Sequence, residues 1–174
     1  MKQRSAAQFV GVLVAIFGPS SADVVAQTVP TPGRLWVTAG VGVGAFGEGG
    51  SGISVTADMT YQRGPHLMVL RVTGLTDLNT RGGPDDSVAD IGLLYGRAST
   101  RTGSSVHFSA AAGLALIELD LPGTIIQHTV GVPIAVEATV NTPIIGLGLK
   151  GTANVNSVQS FAGLFLVLRL GRLR

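Results

Sequence analysis

His107 and Ser109, separated by one residue, are the pair whose types could do covalent chemistry. An imidazole can take the proton of a hydroxyl nucleophile when an acid orients the ring. Glu118 is the next acid along, eleven positions beyond His107. On an extended strand that is more than about 30 Å, out of reach of the imidazole unless the strand bends. Ala110-Ala111-Ala112 follow Ser109 and bring no polar group. His107 is therefore expected in a polar interior network, not as a catalytic base. Asp77, Asp85, Asp86 and Asp120 could meet a cation, but their spacing is not that of a calcium loop, so solvated loop carboxylates are expected. Gly40-x-Gly42-x-Gly44 precedes no helix and is not a phosphate-binding loop. His66 and His128 carry no ligand spacing. No catalytic residue, metal or cofactor is expected.

The charges that matter more are embedded in regular segments. Asp58, Arg71, Asp90, Glu137, Lys150 and Arg169 each replace a small or polar residue on one parity of a segment that alternates with a period of two. Such alternation predicts strands. It is clearest in Ile53 to Gln62, where Ile53, Val55, Ala57, Met59 and Tyr61 oppose Ser54, Thr56, Asp58, Thr60 and Gln62. It recurs from Arg34 to about Ala45, His66 to about Leu75, Ser87 to Arg97 and Ser105 to about Glu118, and three times between Thr129 and Leu170. Helix is the competing reading of the Ala-rich run within Ser105 to Glu118, since Ala and Leu form helices well; its alternation and its Ser and Gly favour strand. Val69 departs from the pattern by sitting on the polar parity. Eight strands result, each close to the roughly 9 to 11 residues a tilted membrane strand needs.

Composition agrees. The 174 residues are 45% hydrophobic and only 13% charged, with a mean hydropathy of +0.44 and 25 Gly. Part of that apolarity belongs to the N-terminus. Lys2 and Arg4 precede the run Phe9 to Phe17, and Val24-Val25-Ala26 offers small-residue cleavage, so residues 1–26 are expected to be a secretory signal peptide. A membrane anchor would need about 20 apolar residues, more than this run holds. Residues 27–33 are expected as a linker and 34–174 as the barrel domain. Without Lys2, Arg4 and Asp23, about ten bases and nine acids remain of the original twelve and ten. That near-balance argues against a nucleic-acid partner despite the pI of about 9.5. With no Cys, the exported domain must be held by backbone pairing and packing alone.

In hydrocarbon a sheet can span only by closing, because each backbone polar group needs a protein partner. The expected fold is an all-β, antiparallel, up-and-down, eight-stranded transmembrane β-barrel with its aliphatic parity toward lipid. Asp58, Arg71, Asp90, Glu137, Lys150 and Arg169 then point into the lumen, three acids facing three bases. A soluble sandwich or a soluble ligand-binding barrel is the competing architecture, and in it these charges would face water. Eight strands leave a lumen just wide enough to be filled by side chains. Phe161 and Phe165 are expected to fill it between the glycines at 40, 42 and 44 on one side and 146 and 148 on the other. Tyr61, Tyr95 and Phe108 lie at the turn-side ends of the outward parity, where an aromatic girdle would sit. Trp36 lies at that level on the other parity.

The segments VGVPIAVEA, TPIIGLGLKGTANVN and SFAGLFLVLRLG resemble the small outer-membrane β-barrel proteins of Gram-negative bacteria, the eight-stranded class that includes OmpA and OmpX-like proteins. The resemblance covers the signal peptide and nearly all of the mature chain. It implies an outer-membrane location with both termini periplasmic, outer-membrane lipid and the barrel-assembly machinery as partners, and function in the long loops Thr76 to Asp86 and Asp120 to Gln127. Gly163, Leu166 and Leu168 fit the assembly signal of such proteins. The ending Gly171-Arg172-Leu173-Arg174 departs from it, since many members finish on an aromatic residue. A non-enzymatic role in envelope structure or surface interaction is expected. The enzymatic alternative is a lipid A deacylase, similar in its eight strands and His-x-Ser pair, although the Asn-rich pattern around that pair is missing here.

Overall fold

The period-two alternation is realised as eight strands among the described residues of a computed structural model, which comprise 33–46, 50–77, 87–100, 105–120 and 126–173. These are β1 (Arg34–Phe46), β2 (Ser51–Arg63), β3 (His66–Asp77), β4 (Ser87–Ala98), β5 (Val106–Asp120), β6 (Gln127–Asn141), β7 (Ile145–Asn156) and β8 (Phe161–Gly171). The expected signal peptide 1–26 and all but the last residue of the linker lie outside the described residues. So do 78–86 and 121–125, which hold most of the two long loops.

Each strand pairs antiparallel with the next, and β8 pairs antiparallel with β1 from Trp36↔Gly171 to Phe46↔Phe161. The barrel is closed, so no strand edge is left to be hydrogen-bonded by solvent. The strands run further than the side-chain pattern suggests. Gly52 pairs with Asp77, Ser87 with Asp120 and Leu119 with Gln127, placing Asp77, Asp120 and Gln127 in the sheet instead of in loops. The ladder continues past polar residues because it satisfies backbone groups whatever side chains they carry. The Ala-rich run is strand as well: Ala110, Ala111 and Ala112 pair with β4 on one side and β6 on the other.

The aliphatic parity faces outward. Val41, Val43, Leu114, Leu116, Leu147, Leu149, Leu164 and Leu166 are all exposed, Leu116 by 66%. The other parity is buried although it is polar, with Thr38, Ser54, Thr56, Asp58, Thr60 and Gln62 each at most 5% exposed. That is the inverse of a water-soluble barrel. Pro133, on the inner parity of β6, has no N–H to donate, and the β5–β6 ladder is interrupted between Ala112↔Ile134 and Ala115↔Gly131.

The β2–β3, β4–β5 and β6–β7 connections lie at one end of the barrel with both termini of the sheet. The β2–β3 turn is the tightest, Gly64-Pro65, in which Gly64 takes a φ of 59°. A positive φ is what the first central residue of a two-residue II′ hairpin requires. At the other end, Asn156 Oδ1 accepts from the amides of Val158 and Gln159 at 3.0 and 2.8 Å, closing the β7–β8 connection.

The outward assignment of β6 predicts that Val132→Arg destabilises the protein in lipid vesicles by about 2 to 4 kcal/mol, measured by reversible denaturant unfolding. A cost near zero would show that Val132 does not meet hydrocarbon near the midplane.

Candidate functional site in the barrel interior

Six charged side chains, three acids and three bases, line the interior: Asp58 on β2, Arg71 on β3, Asp90 on β4, Glu137 on β6, Lys150 on β7 and Arg169 on β8. They form three ion pairs, Lys150 with Asp58, Arg71 with Asp90 at 2.5 Å and Arg169 with Glu137 at 2.8 Å. The pairing is not the one the ladders suggest. Asp58 is registered opposite Arg71, and Glu137 opposite Lys150. Instead Lys150 reaches across β8 and β1 to Asp58, which leaves Arg71 to Asp90 and Glu137 to Arg169. Curvature makes this possible, since long inward side chains converge near the barrel axis.

Hydrogen bonds extend the pairs into two networks. Asn154 Nδ2 donates to Asp90 Oδ2 at 2.8 Å, beside Arg71. On the turn side, Arg169 joins Glu137, the Nδ1 of His107 at 3.1 Å and the face of Trp36, with its guanidinium carbon 4.6 Å from the ring centroid. His107 Nε2 lies 3.2 Å from Gln62 Oε1, and the imidazole meets Trp36 edge-on with centroids 5.7 Å apart. Trp36, which the sequence leaves without a place, is thus the aromatic floor of the Arg169 site, stabilised by cation–π attraction.

Both nitrogens of His107 are engaged by Gln62 and Arg169, so Ser109 does not receive the imidazole as a base. Glu118 lies on the outer wall, with its side chain 57% exposed, 3.9 Å from His128. The three groups that could form a hydrolytic triad are therefore not brought together. Among the described residues, no cluster of His, Asp and Glu could hold a metal ion.

Phe161 and Phe165 both point inward and are buried. Their neighbours differ from those the glycine pattern suggests. Phe165 is registered opposite Gly42 on β1, but its ring lies over Gly163 of its own strand, within 2.8 Å of where a Cβ would be. Phe161 faces Phe46, while Gly146 and Gly148 face Arg169 and Val167. The stagger of the strands, not their sequence order, sets these neighbours. Phe46 and Phe161 join Leu75, Val88, Ile117 and Leu119 in a buried apolar cluster toward the loop end. A second cluster, Leu67, Val69, Leu94 and Ala111, lies toward the turn end, which explains the apolar intruder at position 69. Beside the charges a cavity of about 20 Å³ remains, lined by groups that include Trp36, Asp58, Thr60, Ser109 and Lys150. It has room for one water.

The C-terminus closes the turn end. Gly171 has a φ of 145°, and a Cβ there would lie 2.7 Å from the Trp36 Cα, so this close approach of backbones requires glycine. Beyond it the amide of Leu173 donates to Pro143 O at 3.1 Å, and its carbonyl accepts from Arg34 at 3.2 Å. The Leu173 side chain is buried.

A closed antiparallel sheet of eight strands, aliphatic without and ion-paired within, defines the fold as a transmembrane β-barrel. No protein-family model matches the chain, and no curated protein matches it. Solved structures do match. Neisserial surface protein A is similar with a TM-score of 0.58 and 18% identity, covering 79% of this chain and 96% of that one. The N-terminal β-barrel domain of Pseudomonas aeruginosa OprF gives 0.55 and 12%, covering 80% and 100%. Ail, the attachment invasion locus protein of Yersinia pestis, gives 0.54 and 10%, covering 82% and 100%, and is also solved in complex with the heparin analogue sucrose octasulfate. At these identities the likeness is one of fold.

Breaking one buried pair strands its partner's charge in the interior. Asp58→Asn is expected to cost about 3 to 5 kcal/mol in denaturant unfolding, and Asp58→Asn with Lys150→Met to recover most of that loss. Equal stability of the single variant and the parent would mean that the pair does not exist in the folded barrel.

Proposed function

We propose that this chain is an integral outer-membrane protein with a closed, charge-paired lumen and a non-enzymatic role in envelope structure or surface interaction, exercised through the segments Thr76 to Asp86 and Asp120 to Gln127. The observation that carries the reading is an apolar outer wall around a filled, ion-paired interior. In this reading Asp58, Arg71, Asp90, Glu137, Lys150 and Arg169 are structural, locking the strands across the lumen, and Phe161 and Phe165 fill the volume between them. Both ends of the sheet lie on the turn side, which would be periplasmic, and residues 1–26 would direct export. The barrel-assembly machinery would insert the chain through its β8 segment.

The filled interior leaves the loop end as the surface for a partner. A polyanion such as the sucrose octasulfate bound to Ail is a poor match for that end here, which carries Glu48, Asp77, Asp85, Asp86, Glu118 and Asp120 against Arg81. The engagement of His107 by Gln62 and Arg169 supports a structural histidine in place of a hydrolase centre.

The protein is expected to fractionate with outer membranes, to migrate faster on a detergent gel unheated than boiled, and to give no porin-sized conductance in planar bilayers. Lipid A from cells with and without the gene is expected to have the same acyl chains by mass spectrometry. Recovery in the periplasmic fraction would overturn the membrane reading, and an acyl-chain difference abolished by His107→Ala would overturn the non-enzymatic one.

A further inference from the structure

The outer wall of β2, β3 and β4 ends in two successive rows of unlike chemistry. Tyr61, Met68 and Tyr95 are registered side by side across the three strands and are 45%, 51% and 58% exposed. One step nearer the turns on the same parity, Arg63, His66 and Arg97 are registered side by side and are also exposed. The wall therefore passes from aliphatic to aromatic to cationic over the last residues of each strand. His66 and Tyr95 are locked together, with Nδ1 to Oη at 2.5 Å and rings 25° from parallel. With the Tyr95 hydroxyl donating to Nδ1, the proton of the imidazole sits on Nε2 as a further donor. Among the described residues neither Arg63 nor Arg97 has an ion-pair partner.

Charge is segregated to match. Outside the lumen, six of the seven bases from Gly33 onward, Arg34, Arg63, Arg97, Arg101, Arg172 and Arg174, belong to the turn end by their place in the chain, and Arg81 alone to the loop end. From Gly33 onward every acid outside the lumen belongs to the loop end. Among the described residues no acidic side chain outside the lumen therefore lies at the turn end beside the arginine row.

We propose that the row Arg63, His66 and Arg97 is a docking site for the phosphodiester headgroup of an anionic phospholipid, whose acyl chains lie along the tyrosine and aliphatic rows above it. The inference rests on the membrane reading. Its physical basis is continuity: a lipid against the apolar wall has its phosphate at the level just beyond the aromatic row, where two guanidinium forks and an imidazole donor meet it. A basic residue near an anionic membrane surface favours the anionic lipid about fivefold. The row does not continue onto the neighbouring strands, since Ala110 is registered beside Arg97 on β5 and the β1–β2 ladder ends at Arg34↔Gln62, before the level of Arg63.

The test measures association of spin-labelled phosphatidylglycerol and phosphatidylcholine with the whole protein in phosphatidylcholine vesicles, alongside heat-modifiable gel migration. The parent is expected to favour phosphatidylglycerol about fivefold or more at low ionic strength. In 1 M salt, where charges are screened within about 3 Å, the preference is expected to fall toward unity. Arg63→Gln with Arg97→Gln is expected to abolish it, and Arg63→Lys with Arg97→Lys to retain most of it. Equal association of the two lipids with a heat-modifiable parent, or a preference untouched by the double glutamine variant, overturns the docking site alone. A parent that is not heat-modifiable in the vesicles overturns the membrane reading and the site with it.

Discussion

Closure of the sheet is the constraint on which everything else in this barrel depends. A strand edge in hydrocarbon would leave unpaired N–H and C=O groups at several kcal/mol each, so β8 must find β1. It does so along eleven registered pairs from Trp36↔Gly171 to Phe46↔Phe161. The demand is on backbones, and side chains answer it by staying out of the way. Gly42 sits where a methyl group would run into the backbone carbonyl of Leu164 on β8. Gly171 lets the last residue of β8 lie against Trp36.

Closing the sheet creates an interior that must then be filled, and charge fills it here as much as bulk does. Each buried acid is paired with a buried base, which offsets the cost of desolvating the two. The two apolar clusters fill lumen space toward the loop end and beside the Arg169 site. Arg169 shows how tightly this is arranged, for its guanidinium meets a carboxylate, an imidazole nitrogen and an indole face at once. Such a group can tie three other strands to β8 only if all its partners are present.

Parity was legible in the sequence, because the outer solvent is uniformly apolar and stamps one face of every strand. The direction of Asp58, Arg71, Asp90, Glu137, Lys150 and Arg169 follows from parity alone. Their partners do not, because they depend on stagger and on reach across the axis, neither of which has a local signature. Lys150 passing over Glu137 to reach Asp58 is the clearest case. Trp36 looked misplaced for a girdle because the sequence does not say that Arg169 and His107 meet at its level. Inward apolar residues such as Val69, Val88, Ile117 and Leu119 were visible as exceptions on the polar parity, and together they would have located the two apolar clusters. The tail that seats Leu173 has no pattern to read, since it is fixed by single hydrogen bonds to Leu35, Pro143 and Arg34.

A barrel whose interior is filled presents its wall and its rims to the surroundings, and these surfaces differ in how strongly the fold constrains them. The lipid-facing wall must be apolar, so its residues carry little information beyond thickness. The rims are released from that demand and from the demand for pairing, so their composition reflects what they meet. It is therefore significant that, Arg81 apart, the arginines outside the lumen collect at the turn end and the acidic side chains at the loop end, although the barrel would close equally well with the two mixed. Closure explains the strands, and neutralisation explains the lumen. Neither explains the rims, so their charge is set by something other than the fold, which is where the proposed headgroup contact enters.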